Sequence, residues 1–246
     1  MKNDFILILI TLRHWNARLT HCSLTNLVVL SGPPSEEHCY ADIDAAYDYL
    51  RKDLNIPAQN IVLYGRSLGS GPSCYLATKT ALLEKKDAEY AAGDGPVGGL
   101  ILHAPFLSVY RVVVDTGCTL YGDKFPNVDI ISMVRSPTLM VHGTSDQIVP
   151  FHHSERLYEA ISPQYRARPL YIEGMSHNNV HAQVRRMFID KLTVYLEEHV
   201  WPGAVIRGAN TRQAATARDR IWNIVDSEKR REQGQTQDMR EALPMR

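Results

Sequence analysis

The stretch Asn60-Ile61-Val62-Leu63-Tyr64-Gly65-Arg66-Ser67-Leu68-Gly69-Ser70-Gly71-Pro72 decides how this chain reads. Its first part, NIVLY, is a short run of β-branched, aliphatic and aromatic residues and predicts a buried strand. A helix-like stretch, Ser67 to Leu83, follows at once. Between them stands Gly-Arg-Ser-Leu-Gly, a G-x-S-x-G pattern. By composition alone, such a pattern turns up in about one chain in ten of this length. Its position between a strand and a helix makes it specific. A serine that projects from so sharp a turn needs strained backbone angles and close approach of neighbouring chain. Gly65 and Gly69 omit the side chains that would collide there. Gly71 and Pro72 suit a tight first helical turn. The helix start offers backbone N–H groups and positive dipole to a developing oxyanion, with the Leu68 N–H as the candidate donor. The bland alternative is an inert serine on a glycine-rich turn.

Outward from this turn, apolar runs and helical periodicities alternate. Glu36 to Leu54 reads as a helix, with Tyr40, Ile43, Tyr47, Leu50 and Leu54 at three- and four-residue spacing and Ser35 as its cap. Further strands are expected at Gly98–His103, Pro137–His142 and Arg168–Glu173. Helices are expected at Val149–Ile161 and Val180–His199. Glu84 to Pro96 is charged and small and reads as a surface loop. Short apolar strands separated by helices imply an α/β fold, a mostly parallel sheet with helices on both faces.

A hydroxyl is a poor nucleophile until a base takes its proton, and the base needs a carboxylate to orient it. In a strand–turn–helix setting of this kind the chain order is Ser, then Asp or Glu, then His. Asp146 lies in Gly143-Thr144-Ser145-Asp146, after the strand PTLMVH. His177 lies in Gly174-Met175-Ser176-His177, after the strand RPLYIE. Ser67, Asp146 and His177 therefore leave the same edge of the sheet, where α/β folds build their sites. His103 and His142 end strands, His152 and His153 begin a helix, and His181 sits in one. None has the position of His177. Asp115, Asp123 and Asp129 are weaker acid candidates by placement.

Composition narrows the function further. The 246 residues carry 27 Lys plus Arg and 27 Asp plus Glu, so no net charge draws the chain to nucleic acid. The tail after Gly203 interleaves acids and bases, which reads as a solvated, partly helical or disordered segment around Trp222. Four cysteines (Cys22, Cys39, Cys74 and Cys118) without a C-x-x-C pair argue against a disulfide scaffold or a zinc cage, and for a reducing compartment. The apolar run Phe5 to Leu12 would rise about 12 Å as a helix, far short of a bilayer core of about 30 Å. Asp4 and the lack of a small-x-small site disfavour a signal peptide, so a buried strand is expected there. No metal or organic cofactor is implied, since a Ser-His-Asp site works without one.

From Ser31 to Val200 the chain resembles the serine α/β-hydrolases, and within them the alpha/beta hydrolase domain-containing protein 17 group. The likeness rests on SGPPSE (31–36), YADIDAAYDYL (40–50), NIVLYGRSLGSGPS (60–73) and ILHAPFLS (101–108). It continues through FPNVDII (125–131), SPTLMVHGTSDQIVPF (136–151) and EGMSHNNV (173–180). The resemblance implies Ser67 as nucleophile, Asp146 as orienting acid and His177 as base. It also implies thioesterase action on palmitoylated, membrane-anchored proteins, at a cytoplasmic location with peripheral membrane contact.

The chain departs from that group ahead of Ser31. The family has several more strands there, an HGN-type loop that supplies the second oxyanion N–H, and a palmitoylated cysteine cluster. Residues 1–30 match none of these, and Cys22 alone is no substitute, since stable anchoring takes two signals. The expected organisation is an atypical segment 1–30, a hydrolase domain 31–202 short of its first strands, and a charged tail 203–246. Residues 1–30 read as an unrelated leader on an incomplete chain, or else Phe5–Leu12 and Leu27–Leu30 serve as replacement strands on a shortened sheet.

The expected function is hydrolysis of an acyl ester or thioester through an acyl-enzyme, with an acylated protein or a lipid ester as partner. A peptidase or lipase-like esterase built on the same residues is the alternative. A non-catalytic module that binds a partner through its open edge or tail is the other; the missing HGN-type loop favours it and the intact Ser-Asp-His order opposes it.

Overall fold

The computed structural model describes residues 6–10, 35–83, 95–114, 117–178 and 182–200. Leu27–Leu30, Trp222, the tail 203–246 and most of the 84–96 loop lie outside them. The chain divides into two compact units, Met1–Val184 and Arg185–Arg246.

The first unit is built on five parallel strands in the order β1-β2-β3-β4-β5. These are β1 (Ile6–Ile10), β2 (Ile61–Arg66), β3 (Gly99–His103), β4 (Thr138–Gly143) and β5 (Leu170–Ile172). The run Phe5–Leu12 thus supplies a strand, with Ile6 to Ile10 paired against Ile61 to Gly65. Among the described residues it stands alone ahead of the strand that leads to Ser67. Parallel neighbours need crossover connections, and helices supply them. These are α1 (Glu36–Asp48), α2 (Ser70–Leu83), the short α3 (Val109–Val113) and α4 (Asn127–Ile130), and α5 (His152–Ala160). The helices pack in a row, α1 on α2, α2 on α4 and α4 on α5.

Strand residues alternate between the two faces of a sheet. Ile61, Leu63, Leu100, Leu102 and Met140 share one core with Ile43 of α1, Leu76 of α2 and Leu157 of α5. On the opposite face Val62, Tyr64, Ile101, Leu139 and Val141 are buried as well. Both faces are therefore covered, as the uninterrupted apolar runs require.

Local chemistry sets the helix ends. The Ser35 hydroxyl accepts the His38 N–H at 3.1 Å and caps α1. The α1 helix stops earlier than its apolar spacing suggests. A wider helical turn, Tyr49–Asp53, replaces its last part. Asn55 then takes a positive φ of 53° and turns the chain toward β2. The helix α6 runs from Ala182 to Tyr195, and its residues from Arg185 onward belong to the second unit; Phe188, Leu192 and Tyr195 are buried.

Candidate active site

Strand β2 delivers Ser67 at its carboxyl end, and the backbone turns there at φ 49°, inside the left-handed region. Such a conformation costs of order 1–3 kcal/mol in a residue with a side chain, so its surroundings must hold it. Several contacts do so. A Cβ on Gly65 would lie 2.6 Å from the Gly69 carbonyl oxygen, and would also strike the Ser73 hydroxyl. Only glycine lets the strand pass that close to the helix start. The Ser70 hydroxyl donates to the Ser67 carbonyl at 2.7 Å, and the Ser73 hydroxyl to the Gly69 carbonyl at 2.8 Å. Asn127, wholly buried, donates to the Phe106 carbonyl at 2.9 Å and to the Ser70 hydroxyl at 3.4 Å. It thereby ties the turn to the chain that follows β3. Gly71 and Pro72 fall in the first turn of α2. The Phe125 side chain lies against Gly71, with its Cβ and Cγ inside 3 Å of where a Cβ of Gly71 would stand.

Leu68 follows the serine in the short helical segment Ser67–Gly69. Its side chain packs on Cys39, Phe106, Phe125 and Val149. Its N–H stands in a first helical turn, where no intrahelical carbonyl can reach it.

Asp146 and His177 arrive on loops that are joined to each other. Gly143 ends β4 so close to Met175 that a Cβ there would lie 2.6 Å from the Met175 carbonyl carbon. The Thr144 N–H donates to the Ile172 carbonyl at 3.0 Å, and the Ser145 N–H to the Met175 carbonyl at 3.1 Å. The Thr144 hydroxyl accepts the Gly174 N–H at 3.0 Å. Gly174 itself takes a positive φ of 71°. Acid and base are thus carried on one joined pair of loops.

The three side chains meet above the edge of the sheet. His177 Nε2 lies 3.1 Å from Ser67 Oγ, and His177 Nδ1 lies 2.6 Å from Asp146 Oδ2. A carboxylate only accepts, so Nδ1 carries the ring proton and Nε2 faces the serine with its lone pair. Asp146 and His177 are buried. Burial alone would push the Asp146 carboxyl up. Hydrogen bonds from His142, from His177 and from the Val149 N–H outweigh it and hold the group well below the usual carboxylate range. The Ile148 and Val149 N–H groups each reach Asp146 Oδ1 at 2.9 Å.

The other candidate acids are engaged elsewhere. Asp123 accepts the Tyr110 N–H at 2.9 Å and stands 3.8 Å from buried Arg111. Asp129 accepts the Thr119 hydroxyl at 2.5 Å. Asp115 lies outside the described residues.

Several residues at the site were not singled out from sequence. Arg66 donates to the His177 carbonyl at 2.9 Å and to Asn178 Oδ1 at 2.8 Å. Tyr64 and His103 meet at 2.7 Å on the sheet below. His142, read as a strand end, stands against Asp146. Ser70 and Asn127 brace the turn. Cues were present for four of them: Arg66 lies inside the serine motif and Ser70 follows it, His142 begins HGTSD, and Asn127 belongs to FPN.

No protein-family profile matches the chain. Among solved structures, an esterase 2 from Thermogutta terrifontis, phosphonylated by sarin, superposes with a TM-score of 0.50 at 19% identity, over 66% of each chain. That likeness concerns the fold. The chain has the α/β-hydrolase fold. Among its curated relatives are alpha/beta hydrolase domain-containing 17 proteins. Protein 17C of Mus musculus is 36% identical over 173 residues, 70% of this chain and 48% of its own length. Protein 17B of Xenopus laevis is 37% identical over 171 residues, 69% of this chain and 53% of its own length. The chain spans about half the length of the curated relatives it matches.

Proposed function

We propose that this chain is a serine hydrolase that cleaves an acyl ester or thioester through an acyl-enzyme. One observation carries the reading: Ser67 Oγ, His177 and Asp146 form a continuous hydrogen-bonded line of 3.1 and 2.6 Å. His177 Nε2 takes the Ser67 proton as Oγ attacks the acyl carbonyl carbon. Asp146 stabilises the imidazolium that results. The Leu68 N–H faces the oxygen that gains charge. The carbonyl reforms, the bond to the leaving thiolate or alkoxide breaks, and His177 returns the proton to it. A water then loses its proton to His177 and attacks the acyl-serine, and the acid departs as Oγ recovers its proton.

The preferred substrate is a palmitoyl-protein thioester, a choice supported by the likeness to the protein 17 group. An acylated protein or a lipid ester is then the partner, met from the cytoplasm by peripheral membrane contact. No described helix is long and apolar enough to cross a membrane.

The test is fluorophosphonate labelling of wild type beside Ser67→Ala, followed by turnover of palmitoyl and short-chain thioesters. Labelling confined to wild type supports an activated serine. Absence of labelling in folded wild type overturns the reading.

A further inference from the structure

Asp146 faces two imidazoles. Its Oδ2 lies 2.6 Å from His177 Nδ1 and 3.3 Å from His142 Nε2. His142 is wholly buried at the end of β4. Its Nε2 also faces the Val149 carbonyl at 3.0 Å. A carboxylate and a carbonyl both only accept, so this nitrogen carries the proton of the neutral ring. Nδ1 then accepts from the Ser154 hydroxyl of α5, 2.5 Å away. The Phe151 ring meets His142 edge to face at 5.7 Å. The imidazole is thereby held by Val149, Ser154 and Phe151.

The Ile148 and Val149 N–H groups hold only Oδ1 of Asp146. A carboxylate pinned at one oxygen still pivots about it. The oxygen that faces His177 needs a second constraint, and His142 is placed to supply it. We propose that His142 is a positioning residue, whose Nε2–H, shared between the Val149 carbonyl and Asp146 Oδ2, holds that oxygen in line with His177 Nδ1. The proposal rests on the hydrolytic reading of Ser67, Asp146 and His177.

The test compares wild type, Ser67→Ala, His142→Gln and His142→Leu for kcat and KM on a short p-nitrophenyl ester, with thermal melting alongside. Glutamine places an N–H near the His142 Nε2 position, and leucine has no donor. Loss of a hydrogen bond to a charged group gives about a tenfold fall in rate. The Leu variant is therefore expected to lose about tenfold in kcat with KM little changed, and the Gln variant to recover most of it. Equal losses in Gln and Leu, a loss confined to KM, or wild-type kcat in both overturns the proposal. Should the Leu variant not fold, Ser154→Ala decides, since it removes only the hydroxyl that aims the ring. A severalfold fall in kcat at constant KM supports the role, and wild-type kcat overturns it. Failure of the underlying reading looks different: Ser67→Ala would then turn over ester as fast as wild type.

Discussion

Arg66 reaches past its neighbour Ser67 and donates to the main-chain carbonyl of His177 at 2.9 Å. The strand that carries the nucleophile therefore holds the loop that carries the base. The guanidinium also reaches Asn178 Oδ1 at 2.8 Å, so two adjacent residues of that loop are fixed at once. A planar fork suits this task better than an ammonium group. Arg66→Ala is expected to lower kcat about tenfold with KM little changed, from loss of charged hydrogen bonds that position His177. Arg66→Lys should recover only part of it. Steady-state kinetics on one ester substrate decides the matter, and unchanged kcat in the Ala variant contradicts it.

Asp146→Asn removes the charge that stabilises the imidazolium and lets the ring take the wrong tautomer. The comparable change in a serine protease costs on the order of ten-thousand-fold in kcat. A fall of at least a thousandfold in phosphonate labelling rate is expected here, in protein that still folds. Retained labelling would mean that His177 does not depend on this carboxylate.

Acid should act on stability in two separate windows. Burial, with Arg66 next, holds the His103 ring well below its ordinary value of 6.5. The unfolded chain takes up a proton there near pH 6.5 and the native chain does not, so stability falls as pH drops below about 6.5. The Asp146 carboxyl is held well below its ordinary 3.8, although burial opposes this. Its contribution is complete above about pH 4 and is lost as pH falls further. Urea unfolding across pH reads both windows. His103→Gln should flatten the first, and Asp146→Asn the second.

Gly65→Ala tests the strained turn. The new methyl must displace the Gly69 backbone, which lies 2.6 Å from its position. Overpacking of this kind costs typically 1–3 kcal/mol. A lower melting temperature and slower labelling are expected together, because the same atoms support the fold and aim Ser67. A variant that melts and labels like wild type would show that the turn relaxes freely.

Much of this arrangement was legible in sequence. Ser67, Asp146 and His177 each follow a strand, and parallel strands end at one edge, so chain order alone brings them together. Ser35 was legible as a cap because its partner, the His38 N–H, is only three residues away. What escaped were contacts whose partners are distant in sequence. Arg66 meets a loop 111 residues on. His142 gains its role only when α5 places Ser154 beside it. The apolar run Phe5–Leu12 reads as a strand in the sequence, but its place beside β2 comes from a pairing with residues more than fifty positions on.

That pairing bears on how the serine is held. Because β1 lies alongside Ile61 to Gly65, and β3 lies on the other side, β2 has a hydrogen-bonded neighbour at each flank. Its peptide hydrogens meet deuterium only when a large part of the sheet opens. Of the whole sheet, the strand that leads into the left-handed turn is thus among the slowest to breathe. Strain at Ser67 is anchored where thermal fluctuation has the least opportunity to release it.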